Sequence, residues 1–148
     1  ASEAGSLAVG PSQGSSEWWS IDATGVTQRA CYFDDTYVFG ADGSFSNVLG
    51  SDTWLEAWQG TADACGTPVA PHNGSNPATY VHNQAAGTVT VTGDGAFIGL
   101  PKAHNGGEDG NPVNDTITYI IDFVDTNTAI VDIEAGSGVW WRYKLVKN

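Results

Sequence analysis

TITYIIDFVDTNTAIVDIEAGSGVWWRYKLV, residues 116–146, is the stretch on which the fold turns. In Thr116–Val124, Ile117, Tyr119, Ile121 and Phe123 fall on one face, and Thr118, Ile120, Asp122 and Val124 on the other. In Gly138–Val146, Val139, Trp141, Tyr143 and Leu145 form an apolar face opposite Trp140, Arg142 and Lys144. Side chains alternate across a strand with a period of two, so both segments read as strands, and Ala129–Glu134 supplies a third between them. Asp125-Thr126-Asn127 and Ala135-Gly136-Ser137 are the connecting turns. Alternation this regular describes an antiparallel sheet with one buried face and one wet face.

The same pattern extends upstream. Thr36–Gly40 and Ser44–Leu49 flank the turn Ala41-Asp42-Gly43, and Thr53–Gln59 reads as the next strand. Ala78–Asn83, Gly87–Thr92 and Ala96–Leu100 read as a three-strand meander, with Gly93-Asp94-Gly95 as its tight turn. Residues 60–77 and 101–114 are long polar loops. Residues 1–16, small and polar with Gly and Pro, read as a linker or a loosely held first strand, leaving one domain over 17–148. No twelve-residue window carries a helical period. The expectation is an all-β fold of about nine short strands: an antiparallel, jelly-roll-like β-sandwich, with a meander barrel as the alternative.

Composition narrows the partners. Five Lys+Arg stand against 17 Asp+Glu, a formal charge of −12. Binding nucleic acid requires cations that displace counterions from phosphates, so nucleic acid is excluded, and anionic membrane surfaces are disfavoured. No run of 18 apolar residues exists, so no membrane insertion is expected. The chain begins at Ala1, contains no Met and shows no signal-peptide pattern; it reads as a mature or excised segment of a larger multi-domain chain, here a monomeric module. Cys31 and Cys65 lie in no CxxC motif, and a tetrahedral metal site would need more ligands. They read as one disulfide, with two buried thiols as the alternative. A disulfide with an acidic, lysine-poor surface points to a secreted or outer-surface protein.

TWLEAWQ, residues 53–59, is the most informative strand for function. Continuous alternation sends Trp54, Glu56 and Trp58 to one face and Leu55 and Ala57 to the other. Two indoles about 7 Å apart on a strand approach the repeat of stacked sugar rings. Indole accepts the apolar C–H face of a sugar, and a carboxylate accepts its hydroxyls; the alternative is that both rings are core. Trp18-Trp19 and Trp140-Trp141 are adjacent pairs that send one ring each way on a strand. Trp140 beside Arg142 is a secondary candidate surface, with Trp18 a further candidate.

No catalytic set is expected. There is no GxSxG or HExxH motif, and His72, His82 and His104 are scattered. Asp132 and Glu134 share a strand face and would suit the carboxylate spacing of a glycosidase, but alternating acids also make an ordinary wet face. Glu108–Asp115 is rich in oxygen ligands without the EF-hand spacing, so no cofactor or metal is expected beyond a possible structural calcium.

LAVGPSQGSSEWWS, CYFDDTYVFGADGSFSNVLGSDTWLEAWQG, CGTPVAPHNGSNPATY, GAFIGLPKAHNG and VWWRYKL resemble a recurrent module of secreted, multi-domain polysaccharide-utilisation proteins of Bacteroidetes, a resemblance that covers the chain from about Leu7 to Val146. That module accompanies laminarinase-type family 16 glycoside hydrolases and occurs in PKD-bearing surface glycan-binding lipoproteins. The resemblance implies a non-catalytic carbohydrate-binding role, with a polysaccharide or oligosaccharide partner and a β-glucan such as laminarin as the first choice. The family 16 catalytic strand carries Glu-x-Asp-x-Glu; Ile130-Val131-Asp132-Ile133-Glu134 lacks the first acid, so the likeness is to the accessory module and not to the enzyme. The rival roles are a structural spacer or docking module and, third, a small glycoside hydrolase.

Overall fold

The computed structural model describes residues 1–148. Thirteen strands form in chain order: β1 (Leu7–Gly10), β2 (Trp19–Ser20), β3 (Thr36–Phe39), β4 (Ser44–Val48), β5 (Thr53–Leu55), β6 (Ala64–Gly66), β7 (Ala78–Asn83), β8 (Thr88–Thr92), β9 (Ala103–His104), β10 (Gly107–Glu108), β11 (Thr116–Phe123), β12 (Thr128–Glu134) and β13 (Trp140–Val146). Two short helices, α1 (Ala23–Gln28) and α2 (Ala30–Phe33), lie between β2 and β3. Nine strands make one antiparallel sheet in the order β2-β1-β13-β12-β11-β8-β7-β4-β3. Two edges remain free, so the sheet is not closed into a barrel, and the all-β antiparallel architecture is that of a sandwich. Its smaller second layer consists of the β5–β6 and β9–β10 hairpins and the helices.

The alternation of residues 116–146 sets the register. Tyr119 pairs with Val89, Ile121 with Val131 and Val131 with Tyr143, which gathers the apolar set on one face. Val89, Val91, Ile117, Tyr119, Val131, Ile133 and Tyr143 are almost wholly buried there. The opposite face carries Thr90, Thr118, Asp132 and Arg142. Trp141 is buried while its neighbour Trp140 is half-buried, and Trp18 and Trp19 are both exposed.

Residues 1–16 and 96–100 depart from the sequence expectation. Residues 1–16 contain the first strand of the two alternatives, and it is not loosely held: β1 is an interior strand between β2 and β13, and Leu7 is fully buried. Small residues suit that position because the chain passes close under its neighbours; a Cβ on Gly10 would clash with Ser15. Ala96–Leu100 is not a strand either. It is a buried irregular segment that crosses the inner face, and its polar backbone groups are satisfied by side chains instead of a ladder. The Tyr119 hydroxyl accepts from Ile98 N–H at 2.9 Å, and the Tyr37 hydroxyl accepts from Gly99 N–H at 3.0 Å. Asn47 Nδ2 donates to the Phe97 carbonyl at 2.8 Å. Gly99 has φ +84°, and any Cβ there would run into the Tyr143 ring. Tyr37 on β3 and Tyr143 on β13 lie at opposite parts of the strand order, yet both meet Gly99, so the sheet curls around this plug.

The opposite end of the curl is open. A cavity of about 590 Å³ lies there between β3 and the ends of β11, β12 and β13. No helix is long and apolar enough to cross a membrane.

Candidate functional site: the tryptophan–arginine corner

The strand expected over Thr53–Gln59 stops at Leu55, and Ala57–Gln59 turns as a 3-10 helix. Glu56 is the residue before that turn, and its backbone N–H donates to Gln59 Oε1 at 3.0 Å. The two-residue alternation therefore ends there, and Trp54, Glu56 and Trp58 do not share one flat strand face. The Glu56 carboxylate is occupied: Lys102 Nζ donates to Oε1 at 3.1 Å and Trp58 Nε1 to Oε2 at 3.2 Å. Trp58 stands edge-on to the buried His72, with ring centroids 5.4 Å apart. Burial lowers the pKa of that imidazole and favours its neutral form.

Trp54 has a different partner. The Arg29 guanidinium lies 4.3 Å from its ring centroid and 5.4 Å from that of Trp19. One cation thus links two indoles, an arrangement favoured by the negative ring face. The Cys31–Cys65 disulfide explains why Arg29 is there. Cys65 is the cross-strand partner of Trp54, and Cys31 follows Arg29 by two residues. The bond fixes the start of α2 to the β5–β6 hairpin and so holds Arg29 above Trp54. Asp22 caps α1 by accepting from Gly25 N–H at 2.7 Å, which sets the helix beside Trp19. Between them is a polar recess of about 270 Å³, lined by Trp19, Ser20, Asp22, Thr24, Gln28 and Arg29 among others. Trp19 is 38% exposed and its neighbour Trp18 is 54% exposed.

The remaining sequence candidates lie elsewhere. Arg142 forms a two-pronged ion pair with Asp132, at 2.7 and 2.8 Å, and Gln13 Nε2 donates to the same carboxylate at 3.1 Å. The Asp132 side chain is 4% exposed. Trp140 lies on the same outer face, opposite Gly10 and Glu134. Glu134 accepts from Gly138 N–H at 3.1 Å, so both acids of the strand pair are already engaged. In the acidic loop, Glu108 accepts from the Trp141 indole N–H at 2.8 Å, and no three acidic or imidazole side chains of that loop converge as ligands.

Arg29 and Asp35 are the residues that sequence reasoning missed. Arg29 had a faint signal, being a lone cation two residues before a cysteine in an acidic chain. Asp35 lines the open-end cavity; its Oδ2 accepts from the Thr53 hydroxyl at 2.6 Å, while Oδ1 is buried with no partner. Burial is the main cause that pushes its carboxyl up to about 7, against the lowering effect of the Thr53 bond. No family model and no curated protein sequence matches the chain.

Proposed function

We propose that the chain is a non-catalytic glycan-binding module whose sugar site is the recess at Trp19 and Arg29. The observation that carries this reading is an exposed indole beside an immobilised guanidinium, surrounded by hydroxyl, amide and carboxylate side chains. A pyranose presents C–H bonds on its faces and hydroxyls around its edge. Trp19 offers an apolar surface for the first, and Ser20, Asp22 and Gln28 offer partners for the second. Trp18, the preceding residue, is a second exposed indole. Trp54 acts from beneath by holding Arg29, while Glu56 and Trp58 serve packing. The non-catalytic reading is supported by Asp132 and Glu134, whose carboxylates are committed to Arg142 and Gly138.

The resemblance to polysaccharide-utilisation modules supports a β-glucan such as laminarin as the ligand and a secreted or outer-surface location, with which the disulfide is compatible. A shallow, partly wet recess implies a Kd in the μM–mM range, about −4 to −8 kcal/mol. Affinity electrophoresis through gels containing laminarin, mixed-linkage glucan, xylan or agar tests the proposal. Retardation in at least one gel, with no reducing ends released, is expected. Migration unchanged in every gel would return the chain to the spacer role, and release of reducing ends would make it an enzyme.

A further inference from the structure

The cavity at the open end of the curled sheet has a chemistry unlike that of the sugar recess. Inward-facing positions of β3, β7 and β11 place Phe39, Tyr80 and Phe123 around it, and Phe33 and Tyr37 complete an aromatic lining. Phe39 meets Tyr80 edge-on, with centroids 5.0 Å apart. Phe39 remains 38% exposed and Phe123 61%, although both belong to the apolar face of the sheet. Aromatic side chains left half-open on the inner face of a cavity of about 590 Å³ match the size and character of a small-molecule site, typically about 300–1,000 Å³.

Charge selects the ligand class. Asp35 is the one acidic side chain in the lining, and its Oδ1 is buried with no hydrogen-bond partner. A buried polar atom without a partner is costly, and a cation near the carboxylate would offset that cost. Aromatic rings attract organic cations through their negative faces. The chain's formal charge of −12 adds a long-range field of the same sense. Of the basic groups in the lining, Lys147 is exposed and reaches water, and the Ala1 ammonium donates to the Lys144 carbonyl at 2.7 Å; His82 is the remaining one.

We infer that the open end of the sheet is a second binding site, which takes an organic cation with an apolar body. The aromatic lining holds the body, and Asp35 supplies the charge preference. The site is independent of the sugar recess.

Three ligands with the same ten-carbon tail separate the contributions: decyltrimethylammonium, decanol and decanoate. Each is titrated below its micelle concentration into the full chain at pH 8 by isothermal calorimetry. Saturable 1:1 binding is expected, with the cation about tenfold tighter than the alcohol and decanoate weakest. Asp35→Asn should remove the preference for the cation over the alcohol, and Phe39→Ser should weaken both by a similar factor, with the circular dichroism spectra unchanged. Binding at several unsaturable sites, tighter binding of decanoate, or an unchanged preference in Asp35→Asn would each overturn the inference. Glycan retardation is read separately, so either site can fail without the other.

Discussion

The two ends of the curled sheet are built oppositely from the same apolar strand faces. At one end Ala96–Leu100 fills the curl, its backbone held by Tyr37, Asn47 and Tyr119, and nearby Lys102 bonds Glu56. At the other end the inner face stops at Phe39, Ile121 and Phe123 without a covering segment. The helices and the β5–β6 hairpin form a cross-linked corner through Cys31–Cys65, and the open end has no such clamp. The inner face is closed where side chains replace the missing ladder and open where that replacement ends.

The largest break in this contrast should come from the corner. Replacing Cys31 and Cys65 by Ser removes a cross-link over 34 residues. The chain-entropy relation gives a loss of about 4 kcal/mol, to be read as a lower urea midpoint. The cation–π stack at Arg29 should loosen with it, and glycan retardation should fall in parallel.

The plug comes next. Ile98 is fully buried, so Ile98→Ala should cost about 2–4 kcal/mol, whereas Phe123→Ala at the open end should cost less than about 1 kcal/mol. Equal losses in chemical denaturation would mean that the two ends are packed alike.

The effect expected at Asp35 is small beside those of the disulfide and the plug, and it depends on pH. Its folded pKa of about 7 lies above that of an unfolded aspartate, about 3.9. The protonated carboxyl is the form that folding favours. Its contribution is therefore complete below about pH 4 and is lost as pH rises through 7. Asp35→Asn should raise stability at pH 8 by about 1–2 kcal/mol, because the half-buried carboxyl is partly screened by solvent, and the gain should vanish near pH 4. A constant difference across that window would place the carboxyl in water.

Period-two alternation made the hairpins legible, since one face of each is buried: β3–β4, β7–β8 and β11–β13 lie where Thr36–Leu49, Ala78–Thr92 and Thr116–Val146 read as strands. It misled where burial is not one-sided. Ala96–Leu100 is apolar because it is enclosed on all sides, which in sequence looks the same as a buried strand. TWLEAWQ keeps its alternation of residue types past Leu55, but Glu56 turns the chain into a 3-10 helix and the shared face is lost. Of the sugar-site candidates, Trp54 underlies the recess and Trp18 is an exposed sequence neighbour of Trp19, while Arg29 emerges only when the disulfide brings Cys31 to the partner strand of Trp54. That juxtaposition is tertiary and leaves no periodic trace.

Affinity electrophoresis through a laminarin gel, with Trp19→Ala and Phe123→Ala run beside the wild type, tests the central claim most directly. Truncating an aromatic anchor typically costs about 2 kcal/mol, so Trp19→Ala should raise the apparent Kd about 30-fold, while Phe123→Ala should migrate with the wild type. Retardation kept by Trp19→Ala and lost by Phe123→Ala would contradict it, and so would a wild-type protein that the glucan does not retard.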